Sequence, residues 1–154
     1  MATRSHVREE TFAVSPEELF ALLHTPSAIR GWWGAARAIV GAEEGGTWSA
    51  TWGEDEDAPD YVTFATISTF DPPRRMVLCD YRYTSKTGPL PFKAEFVTEF
   101  SVSADGSGAQ LKVEQSGFPA GPEADEFYAG CEVGWKITFD GIRSFLSQWR
   151  AGVV

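Results

Sequence analysis

Residues 122–150 read PEADEFYAGCEVGWKITFDGIRSFLSQWR, and this stretch decides the fold. At 100° per residue, Phe127, Tyr128, Cys131, Trp135, Thr138, Phe139, Ile142, Phe145, Leu146 and Trp149 fall within one arc of about 120°. Asp125, Glu132, Lys136, Asp140 and Arg143 lie opposite. The periodicity predicts a helix from Pro122 to about Arg150, roughly 40 Å long at about 1.5 Å per residue, with one broad face to bury. Pro122 suits its first turn, Glu123, Asp125 and Glu126 its positive end, and Arg150 its negative end. Gly130, Gly134 and Gly141 interrupt it at a cost of about 1 kcal/mol each relative to alanine. They lie within about 40° of one another on the flank of the apolar face. Such a smooth strip predicts close packing by a neighbouring segment ahead of an open ligand groove.

A helix of this kind needs a partner layer, and the preceding residues supply one. From Ala36 to Ser116, short runs rich in β-branched and aromatic residues alternate with turn chemistry. The predicted strands are Ala36–Val40, Thr47–Trp52, Tyr61–Phe70, Arg75–Tyr83, Phe92–Val102 and Ala109–Gln115, with Val7–Val14 ahead of them. The acidic tip Glu54-Asp55-Glu56-Asp57 lacks the ligand spacing and glycine of an EF-hand loop and reads as a solvated hairpin tip.

Between the first strand and this meander stands Val14-Ser15-Pro16-Glu17-Glu18-Leu19. Ser15 can cap a helix, Pro16 fits its first position, Glu18 completes a capping box, and Val14 and Leu19 form a hydrophobic staple. Thr25-Pro26 starts a second helical piece, through Ile29, that Gly31 can end. The expected fold is α+β: a curved seven-stranded antiparallel sheet wrapped around a long C-terminal helix, with two short helices after the first strand. It forms one domain over residues 1–154, with its core from about 6 to 150.

Composition narrows the partners. With 43% hydrophobic and 14% aromatic residues the chain is globular, not disordered. Its net charge of −9 disfavours nucleic acid and anionic membrane surfaces. No apolar run approaches the roughly 20 residues that cross a bilayer. Cys79 and Cys131 make no disulfide framework, and Met1-Ala2-Thr3-Arg4 leads into no apolar signal segment, so a cytoplasmic setting is expected. His6, His24 and the two cysteines are too scattered for a zinc spacing, and no metal or other cofactor is expected.

Several stretches are similar to those of a known family. They are Val14-Ser15-Pro16-Glu17-Glu18-Leu19-Phe20, Pro26 to Trp32-Trp33-Gly34, Gly45-Gly46-Thr47-Trp48, Pro73-Arg74-Arg75-Met76-Val77-Leu78, Ser116-Gly117-Phe118 and Tyr128 to Trp135. In this order, over His6 to Arg150, they resemble the START-like superfamily (SRPBCC, START/Bet v-like, helix-grip). More narrowly they resemble stand-alone bacterial relatives of the domain found in activators of the 90-kDa heat-shock protein ATPase. The resemblance implies a cavity between the concave sheet and the long helix. It leaves function open, because the superfamily holds lipid and hormone binders, polyketide cyclases and co-chaperone domains. Relatives often carry a tryptophan on the strand occupied here by Leu78 to Tyr83, and a histidine where Gln115 stands. The absence of that histidine removes the most plausible acid or base from the corresponding part of the cavity.

In this architecture the expected lining includes Trp32, Trp33, Trp48, Phe64, Tyr81, Phe96, Gln115, Tyr128, Cys131 and Trp135. Aromatic walls with a few polar groups suit a small hydrophobic or aromatic ligand, and the same side chains can also simply fill a core. Trp32 and Trp33 are adjacent at a helix end and cannot point the same way, so one packs and the other forms a rim. No nucleophile elbow, phosphate loop or zinc-protease motif is present, and no residue is assigned a catalytic role. Asp80, Arg82 or Glu99 turned inward would be a buried charge, and an inward Asp80 or Glu99 could serve as an acid. The expected function is non-catalytic binding of a small hydrophobic ligand. The alternatives are protein interaction of the chaperone-ATPase-activator kind and a polyketide cyclase or dehydratase-like enzyme. A monomer and a homodimer both fit.

Overall fold

The computed structural model describes residues 2–150, without the side chains of Trp149 and Arg150, so the roles predicted for those two side chains lie outside the described residues. Strands β1 (Thr3–Phe12), β2 (Arg37–Val40), β3 (Thr47–Trp52), β4 (Tyr61–Asp71), β5 (Arg75–Ser85), β6 (Val97–Asp105) and β7 (Gly108–Pro119) form one seven-stranded sheet. Its order is β1-β7-β6-β5-β4-β3-β2, antiparallel throughout. Helices α1 (Pro16–Leu22) and α2 (Pro26–Trp33) carry the chain from one edge strand, β1, to the other, β2. A 3-10 turn at Pro122–Ala124 leads into α3 (Asp125–Arg150), which lies against the concave face. This is the α+β helix-grip arrangement.

Local chemistry sets the element ends. Ser15 Oγ accepts from the Glu18 backbone N–H at 3.1 Å, and Glu18 Oε1 accepts from the Ser15 N–H at 3.3 Å, so the capping box is complete. Helix α2 runs past Gly31 to Trp33, and Gly34, at φ 69°, supplies the left-handed C-cap instead. Gly31 has a different duty: a Cβ there would overlap the Phe145 ring of α3. The carbonyls left free at the end of α1 are claimed by two indoles. Trp32 Nε1 donates to Leu22 O at 2.8 Å and Trp48 Nε1 to Leu23 O at 3.0 Å. The core joins Trp48, Ile67, Leu111 and Val113 of the sheet to Trp135, Phe139, Ile142 and Leu146 of α3.

One boundary differs in a way that matters for the site. β6 begins at Val97, not Phe92, and pairs with β5 only from Arg75↔Ser101 to Leu78↔Thr98. Pro89 and Pro91 lack the N–H that a ladder needs, and Asp80 at φ 53° lies at an irregularity of β5, between Cys79↔Thr66 and Arg82↔Phe64 in its pairing with β4. Beyond Leu78 the two strands part, and residues 86–96 run outside any strand. β7, by contrast, continues past Gln115 because Arg4↔Phe118 and Thr3↔Pro119 extend its pairing with β1.

The acidic tip 54–57 is exposed, and Glu56 pairs with Arg37. Among the described residues no three His, Cys, Asp or Glu side chains converge on a metal-sized site, and no helix is long and apolar enough to cross a membrane.

Candidate functional site

Where β5 and β6 separate, a cavity of about 210 Å³ lies between the sheet and the first half of α3. Trp33 at the end of α2 and Trp48 of β3 close one side, with Trp33 ring centroids 5.4 Å from Trp48 and 6.4 Å from Trp135. Phe127, Cys131, Gly134, Trp135 and Thr138 of α3 form the roof. Leu78, Tyr81, Thr98, Phe100 and Gln115 form the floor, with Thr63 of β4 beside them, and Tyr83, Leu90 and Phe96 stand at the split in the sheet. Among the described residues no charged side chain lines it.

Thus Trp33, Trp48, Tyr81, Phe96, Gln115, Cys131 and Trp135 come together, while Trp32, Phe64 and Tyr128 lie elsewhere. The expectation that Trp32 and Trp33 point apart does not hold: their rings stack at 5.2 Å and 20°, with Trp32, 4% exposed and bonded through its N–H to Leu22 O, on the buried side and Trp33 bordering the cavity. Phe64 follows Thr63 on β4 and, by strand alternation, points to the outer face, where it is 38% exposed. Tyr128 is pinned to β1: its ring stacks on His6 at 3.8 Å, its hydroxyl donates to Ser5 O at 2.7 Å, and the Arg4 guanidinium sits 4.3 Å over the ring. Phe127 takes the place that Tyr128 was expected to fill. Tyr83 was legible from its period-two spacing to Tyr81, whereas Leu90 lies outside any strand and carried no periodic signal.

The charged candidates also lie outside. Asp80 and Arg82 are exposed, and Glu99 pairs with Arg75 at 2.7 Å, a bond that holds its carboxyl below the usual range. The glycine strip splits its duties. Gly141 has the Trp32 carbonyl against it, in the close packing expected of the strip, while Gly134 borders the cavity and a Cβ there would meet nothing within 4 Å.

The polar groups in this apolar shell are few. The Tyr81 hydroxyl donates to Thr98 Oγ1 at 2.6 Å, and burial pushes its pKa above the ordinary phenol value. Trp135 Nε1 donates to Gln115 Oε1 at 2.7 Å. Burial raises the Cys131 thiol to about 11, so it is protonated at neutral pH and is a poor nucleophile. In a Cys79→Ser background, alkylation of Cys131 by iodoacetamide at pH 8 should therefore be slowed by roughly 100-fold relative to a free thiol. Its rate should keep rising towards pH 11; a plateau near pH 9 at the free-thiol rate would contradict this environment.

The family profile described as "Activator of Hsp90 ATPase homolog 1-like protein" matches residues 13–147. No curated protein matches the sequence. Among solved structures, protein MLL2253 from Mesorhizobium loti is similar at TM-score 0.75 and 21% identity, over 94% of this chain and 98% of that one. An uncharacterized protein from Rhizobium leguminosarum is similar at TM-score 0.75 and 20% identity, over 96% of each chain. CalU16 from Micromonospora echinospora is similar at TM-score 0.68 and 18% identity, over 98% of this chain and 81% of that one. At these identities the likeness establishes the shared fold.

Proposed function

We propose, from the premise that this chain belongs to the activator of Hsp90 ATPase homolog 1-like family, that it is a non-catalytic binding domain for a small, neutral, hydrophobic or aromatic ligand. The observation that carries the reading is the cavity itself: about 210 Å³, walled by tryptophan, phenylalanine and tyrosine, free of charged side chains, and placed where the sheet splits. An enzyme of the cyclase kind needs an acid, a base or a nucleophile at the reacting atoms. The residues that could supply one argue against it here. Asp80 and Glu99 lie outside, Gln115 does not titrate, and Cys131 is held as the thiol.

Burial of an aromatic ligand against Trp33, Trp48 and Trp135 should perturb tryptophan fluorescence and stabilise the fold. At a ligand concentration 100 times Kd the gain is about 2.7 kcal/mol, which corresponds to a Tm rise of roughly 5–10 °C for a domain of this size. The measurement is a thermal-shift and fluorescence titration with a panel of uncharged one- to three-ring compounds. Saturable binding by two-ring members is the expected result. No shift and no fluorescence change across the panel would sink the reading.

A further inference from the structure

We infer that Gln115 is a specificity-determining residue of this cavity, selecting ligands that present a carbonyl acceptor: neutral two-ring aromatic ketones and lactones. The inference rests on the binding reading above and adds the ligand's polar requirement to it.

The orientation of the Gln115 amide follows from its partner. An indole N–H can only donate, so the 2.7 Å bond from Trp135 Nε1 identifies the atom it meets as the amide oxygen. The amide nitrogen, with two N–H donors, then faces away from Trp135. It bonds to no described side chain or backbone acceptor, while every buried side-chain nitrogen among the described residues has a partner. The nitrogen is therefore accessible, on a residue that lines the cavity.

Its neighbours in the sheet are engaged with other groups. In the sheet register Gln115 stands between Thr98 on β6 and His6 on β1. Thr98 receives the Tyr81 hydroxyl at 2.6 Å, and His6 Nε2 is bonded to Tyr128 O at 2.7 Å. What remains is a donor pair on a residue of the lining, which a hydrocarbon seated against Gln115 would leave unpaired. A carbonyl oxygen satisfies it. With no charged group in the lining to balance an ionised ligand, the acceptor should be neutral. Size follows from volume: a cavity of about 150 Å³ holds benzene, so about 210 Å³ suits two fused rings.

The test uses 1-tetralone and tetralin, which share a two-ring skeleton and differ by the carbonyl. Both are titrated into the intact chain and into the Gln115→Met variant by calorimetry. The hydration of the ketone is common to both proteins, so the readout is the ratio of the two Kd values. We expect that ratio to move about tenfold against 1-tetralone in the variant. In the wild-type chain, the Gln115 side-chain amide protons should shift in the NMR spectrum with 1-tetralone and stay in place with tetralin, a readout that needs no variant. If both probes bind and neither the ratio nor the amide protons respond, the selectivity is overturned and the binding site stands. If neither probe binds the wild-type chain, both readings fall together.

Discussion

Replacing Gly141 with alanine is expected to destabilise the protein by about 1–3 kcal/mol, although alanine is the better helix former. The same change at Gly134, two turns earlier on α3, is expected to stabilise it by up to about 1 kcal/mol. The opposite signs come from what each residue faces. A Cβ at Gly141 would overlap the carbonyl oxygen of Trp32, a backbone atom that cannot swing aside, so α2 must move off α3. Moving α2 disturbs the bond from Trp32 to Leu22 O and the seat of the Phe145 ring on Gly31. At Gly134 a Cβ would enter empty space above the cavity and gain helix propensity without a clash. Urea melts of the two variants decide the matter. Equal shifts of the same sign would show that the strip acts through propensity alone. Gly134→Leu extends the comparison, because its side chain projects into the chamber and should abolish binding of two-ring probes in a folded protein.

These two glycines also mark how far the sequence could be read. Helical angle placed Gly130, Gly134 and Gly141 on one strip, but angle alone says nothing of what lies across it. Here α2 crosses at one end and the sheet opens at the other. The order of strands and helices was legible because alternation, turn chemistry and the capping box at Ser15 and Glu18 all point the same way. The cavity was less legible, since its shape depends on where β5 leaves β6. That separation follows from Asp80 in the left-handed region and from Pro89 and Pro91, and the strong apolar signal of Phe92 and Phe96 hid it. Phe64 was misplaced for a related reason: one residue of register carries a strand side chain to the other face, and Thr63 holds the inward position. Gln115 was legible as a lining residue and as a departure from relatives, but not in its orientation. Its bond to Trp135, which orients the amide, is a tertiary contact between β7 and α3 that no local pattern encodes.

The two adjacent tryptophans should separate stability from binding. Trp32→Ala is expected to cost about 3–5 kcal/mol, the usual range for emptying a fully packed aromatic site. The side chain is 4% exposed and bonded at 2.8 Å to Leu22 O, and its removal also strands a helix-end carbonyl. Against a total stability of about 5–15 kcal/mol, such a loss brings the chain close to unfolding. Trp32→Phe, which keeps most of the volume and gives up the hydrogen bond, should cost about 1–3 kcal/mol and leave a folded protein for ligand titration. Trp33 is partly exposed, and its ring meets Trp48, Trp52 and Trp135 at centroid distances of 5.4, 5.2 and 6.4 Å and stacks on Trp32 at 5.2 Å, so the Trp32→Phe variant, which keeps an aromatic ring there, is the one that leaves the Trp33 wall supported. Trp33→Ala removes a cavity wall that the fold can spare more readily, so its stability loss should be smaller than that of Trp32→Ala. Its effect on a two-ring aromatic probe should be larger, about tenfold or more in Kd, because aromatic contact beyond simple burial contributes about 0.5–1.5 kcal/mol per pair. Denaturant melts and fluorescence titrations on the same variants read both quantities. A Trp33→Ala protein that binds the probe as the wild type does would place the ligand elsewhere, and a Trp32→Phe protein that loses binding outright would mean that the packed tryptophan, not the rim, shapes the chamber.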